Sequence, residues 1–153
     1  PAPSAAPELP ALPVKHPDEE VTLVQMLFMY PSEVTPVVAD HLPPDYLSDP
    51  DCRLLLQLIL EEDTAGLMDR IPDDRPEARR LAARIQVEEV KLRSDFSPAK
   101  AAQDMVMALW RQVLTRRRRE FQAAGRSAEA AEITRQLYQL KQGWEHAVDF
   151  LVV

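Results

Sequence analysis

Glycine occurs only three times in 153 residues, at positions 66, 125 and 143, and this scarcity restricts the fold more than any other feature. Average usage is about 7%. Tight β-hairpin loops need positive φ at their central residues, and phosphate-cradling loops need close backbone approach. A meander of tight hairpins and a glycine-rich nucleotide loop are therefore both excluded. Strong helix formers fill the chain instead: alanine, leucine, glutamate, glutamine and arginine. The expectation is an all-α protein.

Prolines punctuate it. Residues 1–17 hold six prolines and almost no charge, too little apolar surface to offset ordering entropy, so they read as a flexible, polyproline-prone linker after a preceding domain. A chain that opens on Pro1 reads as a fragment. The first helix is expected from Asp18 to Tyr30, nearly all apolar inside and closed by Pro31. A second should cover Glu33–Leu42 with Pro36 in its first turn. Ser48-Asp49-Pro50 supplies a cap and a first-position proline for a helix over Pro50–Glu62. A short helix is expected at Thr64–Ile71 and another from Pro76 to about Arg93. Ser97-Pro98 opens a long helix to Ala124, Gly125 stops it, and Ser127 caps a last helix running to near Leu151.

Two regions follow. Residues 18–96 form a helical bundle subdomain, and residues 97–153 form a long helix and C-terminal helical hairpin. Ala130, Ile133, Leu137, Leu140, Trp144, Ala147 and Leu151 recur at alternating steps of three and four, which lines them along one helix seam. Met107, Trp110, Leu114, Phe121 and Ala124 form the matching seam on the long helix, with Arg117 in its polar slot. Ala102, Val106, Leu109 and Val113 lie on another face, so the start of that helix should pack on the bundle.

The usual chemical constellations are missing. The lone Cys52 leaves no internal disulfide or multi-cysteine zinc site, and beside Leu54-Leu55-Leu56 it reads as a small buried thiol. His16, His41 and His146 share no ligand spacing and read as surface histidines. Acidic runs sit at helix ends, where the dipole explains them. Neither catalysis, metal nor cofactor is expected. No apolar run approaches the ~18–20 residues of a membrane span, and no signal peptide is visible. A cytoplasmic location is the expectation.

Charge is split. Residues 1–65 hold two basic residues against twelve acids, net −10, and residues 66–153 hold sixteen against thirteen, net +3. The overall charge of −7 makes strong direct nucleic-acid binding unexpected. Arg116-Arg117-Arg118-Arg119 point around most of a helix. With Arg111 and Arg126 they can grip phosphate, although a solvated hairpin tip is the simpler reading. Arg79, Arg80, Arg84, Lys91 and Arg93 offer a second basic surface, suited to an acidic peptide. Tyr138, Trp144 and Phe150 cluster on the last helix, followed by Leu151. Tyr138 and Phe150 fall off the main seam and are expected to face outward, while Trp144 suits a core seam or a binding face equally.

Three stretches, LVQMLFMYPSEV, LPPDYLSDPDCRLLLQLI and AQDMVMALWRQVLTRRRREFQAAGRSAEAAEITRQLYQLKQ, together resemble the C-terminal helicase-binding domain of bacterial DnaG-type primases. The resemblance covers residues 18–151. It implies a helical bundle plus a hairpin that docks on the hexameric, DnaB-type replicative helicase and recruits primer synthesis to the replication fork. It also implies that, in some bacteria, the domain receives the acidic tail of single-stranded DNA-binding protein. On this reading Tyr138, Lys141, Trp144, Glu145, Phe150 and Leu151 form the helicase-binding face, and Arg79, Arg80, Arg84, Lys91 and Arg93 the acidic-peptide surface. The parent primase is a polymerase, but no catalytic or metal motif of the family maps onto this chain. The N-terminal domain of the helicase, which shares the fold, is the nearest alternative. A nucleic-acid-binding module using the arginine cluster and a general helical scaffold are the others.

Overall fold

Most of the longer helices begin at a proline or an acid. In the computed structural model, which describes residues 15–62, 64–88 and 97–153, the order is α1 (Asp18–Met29), α2 (Pro31–His41), a 3-10 turn (Pro44–Tyr46), α3 (Pro50–Glu62), α4 (Leu67–Arg70), α5 (Pro76–Val87), α6 (Pro98–Ala123), α7 (Ser127–Gln142) and α8 (Trp144–Ala147). No strand occurs among the described residues. The protein is all-α.

Proline holds the first position of α2, α3, α5 and α6, where an N–H would lack a helical partner anyway. Ser97 Oγ completes the start of α6 by accepting from the Lys100 N–H at 3.2 Å. Several boundaries differ from expectation. Helix α2 starts at Pro31, which moves Pro36 into the second turn. Both Pro36 and Ser32, whose carbonyl loses its partner, are exposed, so water can take the bond. Helix α5 stops at Val87 because Glu88 is extended at φ −86°, ψ 138°. The residues expected to carry it on to Arg93 lie outside the described residues from position 89. Arg126, not Ser127, is the residue flanking α7, and Ser127 is its first helical residue.

Helix α1 lies at the centre, packed by α2, α3, α5 and α6. Leu23, Val24, Met26 and Leu27 are fully buried on successive sides of it, so the helix needs no polar face. Around it stand Leu55 and Leu56 of α3, Leu81 and Ile85 of α5, and Ala102, Val106 and Leu109 of α6. Each such leucine contributes about 1.5–3 kcal/mol through burial. The first half of α6 thus belongs to the bundle core, and its second half leaves it to pair with α7.

The last helix is not continuous. Gly143, at φ 118° and ψ 175°, takes a backbone conformation open only to glycine and separates α7 from the short α8. The 3–4 seam survives the break but changes partner. Ile133 and Leu140 of α7 belong to the same buried core as Ala147 and Leu151, and Leu151 is also held against α2. His41 fastens this end: its backbone carbonyl accepts from Trp110 Nε1 at 2.7 Å, and its Nδ1 donates to the Leu151 carbonyl at 2.5 Å. Its ring meets Trp144 edge to face at 4.9 Å.

Candidate functional site

The hairpin turns on Gly125 at φ 74°. The Arg126 N–H reaches the Phe121 carbonyl at 2.8 Å and the Gly125 N–H reaches the Gln122 carbonyl at 3.2 Å, the paired bonds of a left-handed helix stop. With Ala130, Ile133 and Leu140 turned toward α6, the outer face of α7 falls to Ala131, Arg135 and Tyr138 by helical period, with Thr134 and Lys141 along its edge. All five are exposed. Tyr138 is 62% exposed, and its ring and hydroxyl meet no partner among the described residues. Arg135 is tied to Glu132 one turn back, which holds the Glu132 carboxyl below its ordinary range.

The six expected docking residues divide. Tyr138, Lys141 and Glu145 are exposed, the last just beyond the Gly143 break. Trp144 is half-buried against His41 and borders a notch shared with Lys100, Gln103, Gln142 and His146. Phe150 turns inward, contrary to expectation, with its ring 6.1 Å from that of Trp110. Leu151 is fully buried. The burial of Leu151 agrees with its place on the apolar seam, while Phe150 turns in because Gly143 redirects the chain beyond α7.

The second basic surface is largely self-neutralised. Arg79 Nη2 donates to Asp73 at 2.9 Å and to the Ile71 carbonyl, Arg80 pairs with Glu77, and Arg84 lies 3.8 Å from Glu88. Lys91 and Arg93 lie outside the described residues.

One cluster escaped the sequence reading. His16, assigned to the flexible linker and expected on the surface, is 7% exposed. Its Nδ1 donates to Asp49 Oδ2 at 2.9 Å and lies 3.9 Å from Asp51. The same Asp49 oxygen caps α3 by accepting from the Cys52 N–H at 2.8 Å. Ser48, expected to be that cap, instead donates its hydroxyl to Glu20, which also accepts from the Asp49 N–H at 3.0 Å. Arg75 closes the network on Asp51 at 2.9 Å.

Ligand atoms of His16, Asp49 and Cys52 lie within 4.8 Å of one another, the right chemistry for a small metal ion. They are already engaged with each other, however. Burial and the nearby Asp49, Glu20 and Asp51 carboxylates push the Cys52 thiol far up, so it stays protonated and is a poor ligand or nucleophile. The Asp49 carboxyl is opposed by burial, but the bonds from Cys52 and His16 outweigh this and hold it below its ordinary value. The arrangement locks residue 16 to the start of α3. Only the Ser-Asp-Pro start of α3 was visible in the sequence; the partner 33 residues earlier carries no local signal.

Comparison with family models, with curated proteins and with solved structures finds no match to this chain.

Proposed function

We propose that this chain is a protein-docking module, the helicase-binding domain of a DnaG-type primase, and that the outer face of α7 is its contact surface. One observation carries this reading: a tyrosine 62% exposed, with no partner of its own, at the middle of a helix whose other side is buried. Tyrosine supplies large contact area for few frozen rotamers and is enriched among residues that dominate binding energy. Lys141 and Glu145 provide charges of both signs nearby, which suit the selection of one partner surface.

The other expected docking residues take different parts. Trp144 supports the edge of the face. Phe150 and Leu151 anchor the α8 segment beneath it and are not contacts. The fixed root matters for recruitment, because a rigid hairpin loses little freedom on binding. Held at the hexameric helicase, a tethered polymerase gains effective concentration at the fork without any new catalytic contact. The acidic tail of single-stranded DNA-binding protein is a second proposed partner. At Arg79, Arg80 and Arg84 it has to displace Asp73, Glu77 and Glu88, so weak binding is expected there.

Sedimentation velocity with the replicative helicase of the same organism tests the reading. The unaltered chain should co-sediment. Tyr138→Ala with Lys141→Glu should weaken the complex by tenfold or more, in line with ~2 kcal/mol for a dominant aromatic, while far-UV circular dichroism stays unchanged. Equal affinity for both proteins rules out the assigned face.

A further inference from the structure

The exposed arginines among the described residues fall into two groups. Arg80, Arg84, Arg126 and Arg135 each face an acid three or four residues away. The exposed Arg111, Arg116 and Arg119, with the half-buried Arg118, face none: their side chains make no ion pair, hydrogen bond or ring contact among the described residues. All four belong to the part of α6 that carries α7, and Arg117 between them is removed by lying 5.3 Å over the Tyr46 ring.

At 100° per residue, Arg111 and Arg118 fall within about 20° of each other, Arg119 lies about 80° to one side of Arg111 and Arg116 about 140°. They cover the side of α6 opposite Trp110 and Leu114, over about 12 Å of helix length at 1.5 Å per residue. Gln112, Thr115 and Gln122 fill the face between them, and Glu120 is the only acid on this half of the helix.

We propose that this face of α6 binds the phosphate backbone of nucleic acid, independently of base sequence. Its four guanidinium groups are donor-only and together multiply cationic, as phosphate contact requires. No aromatic ring stands between the arginines to stack on bases, and no apolar side chain is there to anchor a peptide. The protruding helix, about 10–12 Å across with side chains, carries cations on both flanks and matches a duplex groove edged by phosphates about 12 Å apart. The acids concentrate in residues 1–65, and one of them, Glu19, reaches this face by accepting from Gln112 Nε2 at 3.5 Å; the four guanidinium groups outnumber it and Glu120 there. The proposal is independent of the helicase reading, which uses the outer face of α7.

Fluorescence anisotropy of a labelled duplex of about 20 base pairs, titrated with this chain, tests it. Three to four phosphate contacts give a log–log slope of about −2.7 to −3.6, so affinity should drop roughly 40- to 150-fold between ~25 and ~100 mM salt. Arg111→Gln, Arg116→Gln, Arg118→Gln and Arg119→Gln together should abolish measurable binding with helicity retained. The paired set Arg126→Gln with Arg135→Gln should bind within twofold of the unaltered chain. Absence of binding at the lowest salt, or equal binding by the fourfold variant, overturns the proposal. Equal affinity for a glutamate oligomer of the same charge also overturns it and assigns the face to an acidic protein segment.

Discussion

The bundle and the distal hairpin are built from the same residue types at the same period, yet they treat polar groups in opposite ways. In the bundle, His16, Glu20, Asp49 and Asp51 are buried and bonded to one another and to Ser48, Cys52 and Arg75. On the hairpin, Tyr138, Arg111, Arg116 and Arg119 stand in solvent with no partner among the described residues. Buried polar groups must be satisfied within the chain, or each costs about 1–3 kcal/mol. Exposed ones need not be, so they are available to a partner. The comparison separates what holds the fold from what can recognise something else.

Trp110→Ala should be the most damaging single change, because this residue belongs to both regions. It packs edge to face on Tyr46 at 4.7 Å, and its indole satisfies the His41 carbonyl. A loss of about 3–5 kcal/mol in urea unfolding is expected. A loss under 1 kcal/mol by that method would mean the two regions are not joined through α6.

Asp49→Ala comes next, at about 2–3 kcal/mol, since it removes the α3 cap and strands His16 in the interior. The effect should depend on pH. The folded Asp49 carboxyl titrates below its ordinary value, so its contribution is complete above the ordinary carboxylate range and is lost as pH falls through the folded value. Urea unfolding of both proteins from pH 6 down to pH 3 should show the gap closing toward acid. A gap that widens toward acid contradicts the assignment.

Gly143→Ala should cost about 1–2 kcal/mol in thermal melts through backbone strain alone, because an added Cβ there meets nothing within 4 Å. The smallest effect belongs to the unpaired face. Arg119→Ala should change stability by no more than about 0.5 kcal/mol, in contrast to every change in the bundle network.

Much of this was legible in the sequence. First-position prolines marked α3, α5 and α6, and the seam from Ala130 to Leu140 correctly paired α7 with α6. Periodicity failed at Gly143 for a physical reason. Trp144, Ala147 and Leu151 stay in step with the seam although they pack on the bundle, and apolar spacing reports burial without naming the partner. The signal was the glycine itself, three residues beyond Leu140. Phe150 was misplaced as a consequence, whereas the burial of Leu151 follows from its place on the seam. His16 was illegible because its burial depends wholly on Asp49, far along the chain, while its neighbours are prolines typical of a linker. The exposure of Tyr138 followed from its position off the seam.

Hydrogen–deuterium exchange of this chain, alone and saturated with the replicative helicase, tests the central claim most directly. Bundle amides in α1 and α3 should exchange slowly in both states, at the rate set by global unfolding. New protection should appear across residues 131–145, where the outer face of α7 and the start of α8 carry Tyr138, Lys141 and Glu145. Protection confined to the bundle, or no change on α7 at saturation, contradicts the account.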